Sequence, residues 1–553
     1  MTSRRFLQIS FCDLFAILLV VSFFLLRIDD IGNTPKGFFC DEASIAVNAR
    51  SIRESGRDEH GISYPIFFKA FGEYKPALYI YIGSLIQPFF SDIHFVTRLP
   101  STIFLALAMF VSYLLLKYMV HAGCGLIAIF LMGTDPWLHH FSHVSFTLTA
   151  VPAILVSAIF CFLKGLEKNQ PWKIVSVLLF LLAVYTYPPA RMFVPLFLCS
   201  LAVIYRKELR ENTSTTASLG LHLVLFVALC LPLIRYMLYA DDFLSRVEYL
   251  NVFVTPFLEH SWAHRVALST FNYIPFFPKP DPNSWLIRLL MMILHYLSYF
   301  SPNYLFFHGD SNPRFGTSAF GVLGWLTAVG FVIGLWSMLR RKSKSDCLFL
   351  IWLLLHALPA SLTWENIPHG GRGILGHPAF DCIAAIGLWK LVRYASSQYS
   401  REGQKKYALL IAPLLLLYSI HAKLFFRHYS TDYSVKASAW MQYGFRDMME
   451  YIKAHHGDYE ETVIVSTLLL YQPYIFALLY SDQPAEQWQE SKKLPWNIKI
   501  HTQKLSPEQW RENILYIFSP TPTDLPNQFQ LLRKFTWEDG VGESFSVYKY
   551  VTE

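Results

Sequence analysis

Two adjacent carboxylates, Asp41 and Glu42, stand in GFFCDEASIAVNARSIRES, shortly after an apolar run ends and beside Phe38 and Phe39. Acidic side chains at a water–lipid boundary are costly unless they are solvated or used. A carboxylate there can act as a general base, taking the proton of an attacking hydroxyl that comes within hydrogen-bond reach. It can equally cap a helix, because Asp is a favoured N-cap and the segment from Glu42 to Glu54 reads as an amphipathic helix lying on the membrane. Further along, Glu73-Tyr74-Lys75-Pro76 leads into Leu78, Tyr79 and Tyr81. Lys75 offers a compact cation to a phosphate at headgroup depth, or snorkels as an ordinary interfacial lysine.

Other polar clusters recur at the ends of apolar runs. They are Asp135, His139, His140 and His143; Tyr185, Tyr187 and Arg191 around Pro188-Pro189; His308, Asp310 and Arg314 in FFHGDSNPRFG; and His369, Arg372 and His377 in PHGGRGILGHP. Arginine matches phosphate bidentately, so these clusters fit recognition of an anionic headgroup or anchoring to anionic lipid. His139 and His143 stand i, i+4, a metal-ligand spacing on a helix. No third ligand can be specified for them, so the metal residues stay unknown; no cofactor is certain and a divalent metal is left open.

The elements that must position these residues are membrane helices. The chain has 553 residues, of which 53% are hydrophobic and 16% charged, where a soluble domain averages roughly 25% charged. That excludes a disordered chain and disfavours a soluble enzyme. Apolar stretches occur at 11–26, 99–120, 123–140, 148–163, 174–187, 192–205, 219–238, 320–339, 348–362, 374–391 and 408–424, which makes about eleven spans near the ~20-residue requirement. Every second connection is basic: Arg4/Arg5, Lys117, Lys164/Lys168/Lys173, Arg206/Lys207/Arg210, the Arg340–Lys344 run and the Lys390–Lys406 run. By the positive-inside rule these lie in the cytoplasm, as does the N-terminus, and the C-terminus lies outside. The net charge of +7 is thus an orientation signal and not a nucleic-acid patch.

The resulting organisation is a transmembrane domain, 1–426, with a first outer loop at 29–92 and a second at 241–318, followed by an extracytoplasmic α/β domain, 427–553. Within the second loop, 285–300 either spans or lies in the interface; its Arg288 and His295 favour the interface. In the tail, YGFRDMMEYIKAHH reads as an amphipathic helix, TVIVSTLLLY as a strand or buried segment, and FSVYKYVTE as β-structure. The eight cysteines form no CxxC or disulfide framework.

The series FFCDEA, DEHG, GEYKPALYIY, RLPS, TDPWLHHFSHVSF, TYPPARMFVP, SPNYLFFHGDSNPRFG, PHGGRGILGHP and SAWMQYGFRDMMEYI resembles the bacterial branch of the protein O-mannosyltransferase superfamily. That branch has the GT-C fold and is related to the lipid A aminoarabinose transferase. The resemblance implies an α-helical polytopic membrane protein of GT-C type that moves a sugar from a polyprenyl-phosphate carrier to a hydroxyl on the outer face of the cytoplasmic membrane. It maps the catalytic acid/base to Asp41, in the Asp41-Glu42 pair, and the contact with the carrier phosphate to Lys75. On charge and sidedness, Arg98, Arg314 and Arg372 extend the phosphate site, and Glu73, Tyr74, His143, Tyr187, Asp310 and His369 line a sugar or acceptor pocket. His143 stands where the branch commonly has Arg, and Ala77 follows Pro76 where a second Pro or Leu is common.

The expected partners are the lipid-linked sugar, membrane lipids and an acceptor that is lipid, glycan or protein, with no nucleic acid. Two other classes compete: a transporter or flippase for a lipid-linked sugar, and a non-enzymatic envelope-assembly subunit. A transporter places ionisable residues near the membrane midplane and often carries inverted repeats. Here the charges gather at one edge instead.

Overall fold

A computed structural model of the chain describes residues 10–551 apart from 168–170, 212, 241, 257, 271–279, 398–400, 467–471, 524, 539 and 541. The apolar stretches read from the sequence fall mainly on helices: Phe11–Ile28, Ile93–Met119, Ala122–Thr134, Val151–Gly165, Trp172–Thr186, Ala190–Ile204, Thr213–Tyr239, Trp325–Arg341, Lys344–His356, His377–Ser396 and Arg401–His428. Among the described residues, four helical stretches are long and apolar enough to cross a membrane, namely Phe11–Ile28, Ile93–Met119, Thr147–Gly165 and Gly370–Ser396. The run 123–140 is not one continuous helix. Pro136 lacks an amide hydrogen to continue the ladder, and Asp135 is extended between Ala122–Thr134 and Pro136–Ser142.

The chain divides into two compact units. One comprises Met1–Asp29, Ser101–Ser142 and Thr147–Arg427; the other comprises Asp30–Pro100, His143–Phe146 and His428–Glu553. The first long loop therefore shares a unit with the tail, an arrangement that the linear reading of domains did not anticipate.

In the first unit, close helix packing rests on small residues. Gly330 and Gly334, spaced GxxxG on Trp325–Arg341, face Ile383, Ala384 and Gly387 on His377–Ser396. A Cβ at Gly334 would lie 2.1 Å from the Ile383 carbonyl oxygen, and one at Gly387 would lie 2.0 Å from that of Gly330. Where lipid supplies no hydrophobic drive between helices, such backbone approach supplies the attraction. The segment at 285–300 forms the helix Trp285–Ser298, 14 residues long, or about 21 Å at 1.5 Å per residue, short of the ~30 Å hydrocarbon core. Its Ile287 and Met291 pack with Val252, Leu258, Ala263 and Ala267. Arg288 donates to the Val252 carbonyl at 2.6 Å, so the helix is amphipathic and held by its own loop.

Among its described residues, the second unit has two sheets. Strands β1 (Phe67–Ala70) and β2 (Glu73–Pro76) form an antiparallel hairpin in which Phe68 pairs with Lys75. The tail contributes β3 (Glu461–Ser466), β4 (Ile498–His501), β5 (Ile514–Ser519), β6 (Phe529–Thr536) and β7 (Glu543–Tyr550), in the order β4-β3-β5-β7-β6. β3 runs parallel to β4 and β5, while β7 is antiparallel to β5 and β6. The central strand β5, ILYIFS, is buried at every residue, as expected of a strand covered on both faces. The amphipathic helix read at 443–456 is Phe445–His455, which buries Phe445, Met448, Met449 and Ile452. The second half of TVIVSTLLLY, 467–471, lies outside the described residues.

Candidate active site

The helix that carries the carboxylate pair runs from Cys40 to Ser55, with extended Phe39 as its N-cap. Asp41 lies in the first turn and is not the cap. Glu42 does the capping instead, because its Oε2 accepts from the Phe39 amide at 3.1 Å. Successive helical residues are rotated by about 100°, so the two carboxylates meet different surroundings. The Asp41 side chain is 30% exposed, whereas Glu42 is fully buried.

Glu42 is held on every side. Arg98 Nε donates to Oε1 at 2.9 Å and an Arg98 terminal nitrogen donates to Oε2 at 3.0 Å. The Ser145 amide also donates to Oε1, at 2.9 Å. The remaining Arg98 N–H groups go to the carbonyls of Ile31, Pro35 and Gly37 at 3.0, 3.1 and 2.8 Å. A guanidinium has five N–H donors, and all are used inside the protein. Arg98 thus has no N–H left for a phosphate, and both Glu42 carboxyl oxygens are occupied within the protein.

Lys75 reaches Asp41 from β2. Its Nζ donates to Asp41 Oδ1 at 2.7 Å and lies 3.4 Å from the Asp41 carbonyl. The lysine side chain is only 9% exposed, and its ammonium lies 4.7 Å from the centre of the Phe71 ring. The hairpin turn consists of Phe71 and Gly72, with φ of +57° and +79°. Two positive φ values are what a two-residue turn needs to match strand twist, and an aromatic residue there is strained. The strain places an aromatic face on the ammonium, a cation–π contact. Glu73 and Tyr74 occupy the same strand, and the Tyr74 ring receives Lys69 Nζ at 5.9 Å.

A third carboxyl, Glu59 of the DEHG segment, was not singled out in the sequence as a site residue. It is buried, and Asn48 clamps it from both sides: Asn48 Nδ2 donates to Glu59 Oε1 at 3.1 Å, and the Glu59 amide donates to Asn48 Oδ1 at 3.0 Å. Burial raises its pKa, partly offset by His60, Asn48 and Lys75. Asn48 lies two turns after Asp41 on the same helix face, the one spacing that could have revealed it. His143, in this unit, is buried with its ring 5.3 Å from that of Tyr429. His139 belongs to the other unit and packs on Phe425 and Phe426.

In the first unit, the loops around 310 and 370 meet. Asp310 is fully buried and accepts from the amides of Gly370 and Asn312 at 2.7 and 2.8 Å and from Asn366 Nδ2 at 3.1 Å. His369 Nδ1 accepts the Arg372 amide at 3.2 Å and lies 4.0 Å from Asp310 Oδ2. Burial and the nearby Arg372 and Arg314 hold the imidazole neutral, far below its usual pKa. Arg372 is turned to the Glu365 carbonyl at 2.6 Å and Thr363 Oγ1 at 2.9 Å, and Tyr187 donates to the Gly371 carbonyl at 2.9 Å. The Arg314 guanidinium sits 5.6 Å from the centre of the Phe315 ring. Among the described residues, the group suited to hold a metal is Asp135, His377 and Asp381, also in this unit.

A helical body with polar groups at its helix ends and a small α/β domain is the GT-C architecture, and the chain has that fold. Residues 74–235 match the family described as dolichyl-phosphate-mannose-protein mannosyltransferase. The structure of ArnT from Cupriavidus metallidurans bound to undecaprenyl phosphate is similar with a TM-score of 0.56 and 12% identity, covering 96% of this chain and 97% of that one. The archaeal oligosaccharyltransferase AglB from Archaeoglobus fulgidus, in complex with an inhibitory peptide and a dolichol-phosphate, is similar with a TM-score of 0.50 and 12% identity, covering 91% of this chain and 69% of that one. No curated protein matches the chain.

Removing one partner of a buried ion pair strands the other charge, at about 3–5 kcal/mol. Arg98→Ala is therefore expected to lower the thermal midpoint of the detergent-purified protein sharply; an unchanged midpoint would show that the pair does not hold the loop. Asp310 carries a pH signature as well. Burial pushes its carboxyl up to about 6, so the folded state holds a proton that the unfolded chain releases near 4. The stability from this group is complete below about pH 4 and is lost as pH rises through about 6. Asp310→Asn should flatten that decline in a midpoint-versus-pH series, and an identical slope in the variant would refute the assignment.

Proposed function

We propose that the protein transfers a sugar from a polyprenyl-phosphate carrier to a hydroxyl acceptor at the extracytoplasmic face of the cytoplasmic membrane, by single displacement with inversion. The N-terminus is cytoplasmic and the tail domain extracytoplasmic in this reading, from the alternation of basic loops. The observation that carries it is the Lys75–Asp41 pair at 2.7 Å, a cation and a base joined in one partly open site. The family matched over 74–235 and the lipid phosphates named for the two similar structures support a lipid-phosphate donor.

In the mechanism, Lys75 exchanges Asp41 for the donor phosphate, a phosphodiester with one negative charge, and stabilises the second charge that develops on the phosphate as it departs. Asp41, released from the ammonium, takes the proton of the acceptor hydroxyl as that oxygen attacks the anomeric carbon. The new glycosidic bond forms as the C–O bond to phosphate breaks, the leaving phosphate keeps the bonding pair, and Asp41 ends protonated. Positioning does most of the rest, since the phosphate is already a good leaving group. Glu73, Tyr74 and His143, in the same unit as Asp41 and Lys75, are the reading's sugar and acceptor contacts. The sugar and the acceptor are to be identified by mass analysis of envelope glycans and lipids from cells with and without the active protein.

Asp41→Asn should reduce transfer by about 10²–10⁴-fold, the usual scale of general-base catalysis, with the thermal midpoint retained; transfer at the wild-type rate would eliminate Asp41 as the base. In the same assay, Lys75→Ala should raise the donor concentration needed for half-maximal rate. An unchanged donor dependence would remove Lys75 from phosphate binding.

A further inference from the structure

Asp135, His377 and Asp381 lie in the interior of the first unit, 1%, 0% and 0% exposed. Asp135 occupies the extended residue between two helices, and His377 and Asp381 are one turn apart at the start of His377–Ser396. His377 Nε2 is 2.8 Å from Asp135 Oδ2 and 3.1 Å from Asp381 Oδ2. The three ligand atoms all fall within 4.8 Å of one another.

The hydrogen bonding of this group is incomplete. Neither oxygen of Asp381 has a hydrogen-bond partner, nor does His377 Nδ1. A single imidazole N–H can serve one carboxylate, and here Nε2 makes its hydrogen bond with Asp135. The nearby cation, Arg27, does not supply the deficit. Its guanidinium donates to the Met132 and Gly133 carbonyls at 2.8 and 3.2 Å and to Met109 Sδ at 3.5 Å, capping the C-terminal end of Ala122–Thr134. Asp381 thus shares one imidazole nitrogen with Asp135 and has no donor of its own; a buried carboxylate so incompletely matched is costly, and such groups in proteins are paired or bind a metal. The spacing also suits an ion. Ligands about 2.0–2.2 Å from a common centre in tetrahedral arrangement stand roughly 3.3–3.6 Å apart, so at 2.8 and 3.1 Å from Nε2 the two oxygens have to move outward by a few tenths of an ångström to admit an ion. Asp135 Oδ1 meanwhile accepts the Trp137 amide at 2.8 Å, an outer contact of the kind that orients a ligating carboxylate.

We propose that Asp135, His377 and Asp381 bind one divalent transition-metal ion, of the zinc or manganese class that imidazole and carboxylate together favour. His377 binds through Nε2 with its proton on Nδ1, and each aspartate gives one oxygen. The ion pins the turn at Asp135 to the start of His377–Ser396. That junction also carries the segment of His369 and Arg372, since Trp137 Nε1 donates to the Gly370 carbonyl at 3.0 Å. The role is structural, and it stands apart from the proposed chemistry at Asp41.

The test is elemental analysis of the detergent-purified full chain, followed by chelation and return of Zn²⁺ or Mn²⁺ with the thermal midpoint as a second reading. One equivalent of metal per chain is expected, with a midpoint that falls on chelation and recovers on return of the ion. Asp381→Asn and His377→Gln should each lose the metal and the recovery. Wild-type protein that carries no metal and whose midpoint ignores both ions would overturn the proposal, leaving the two carboxyls to share a proton. Stoichiometric metal retained by both variants would overturn it too, by placing the ion elsewhere. Should the variants fail to fold, the wild-type stoichiometry and midpoint decide alone.

Discussion

Within the second unit, the position of Asp41 depends on the way Arg98 disposes of its charge. A guanidinium with no exposure is tolerable only if every N–H is bonded and the charge is matched. Arg98 meets both conditions by taking Glu42 bidentately and by drawing the carbonyls of Ile31, Pro35 and Gly37 onto itself. The chain from Ile31 to Glu42 is thereby wrapped around one side chain. The helix that follows begins where Glu42 is fixed, and Asp41 is placed as a consequence.

Lys75 approaches from the other direction with a different economy of strain. Its hairpin turns through Phe71, whose positive φ would ordinarily be left to glycine. What the strain secures is a flat apolar face under the ammonium. An ammonium against an aromatic ring and one carboxylate has lost most of its water, and what exposure the pair keeps falls on the Asp41 side chain, at 30%.

Much of this was legible in the sequence, for reasons that are local. Apolar runs became helices because a helix satisfies its own backbone, and the tail helix followed from the i, i+3, i+4, i+7 placement of Phe445, Met448, Met449 and Ile452. Asp41 and Lys75 could be named from residue type and neighbourhood. What could not be read were the partners. Arg98 was assigned to phosphate on its charge, but its role is decided by Glu42, 56 residues away in sequence. Asp135 and His377 meet across 242 residues, and Asp310 meets Gly370 across 60. Asp41 was also a reasonable cap by type, and lost that place because Glu42, with one more methylene, reaches back to the Phe39 amide.

The same distinction explains how a fold can persist at 12% identity over nearly its whole length. An apolar residue in a membrane helix can be exchanged for another with little consequence, because lipid and helix interior are alike in polarity. Exchange is restricted where two backbones touch, as Gly330, Gly334 and Gly387 do, and where a buried charge needs one defined partner. A large side chain at the first kind of position separates the helices, and a neutral one at the second strands an ion. The fold is therefore carried by a pattern with many solutions. The site rests on a few residues with hardly any, and in this chain they are the ones that hold the ends of helices and the loops between them.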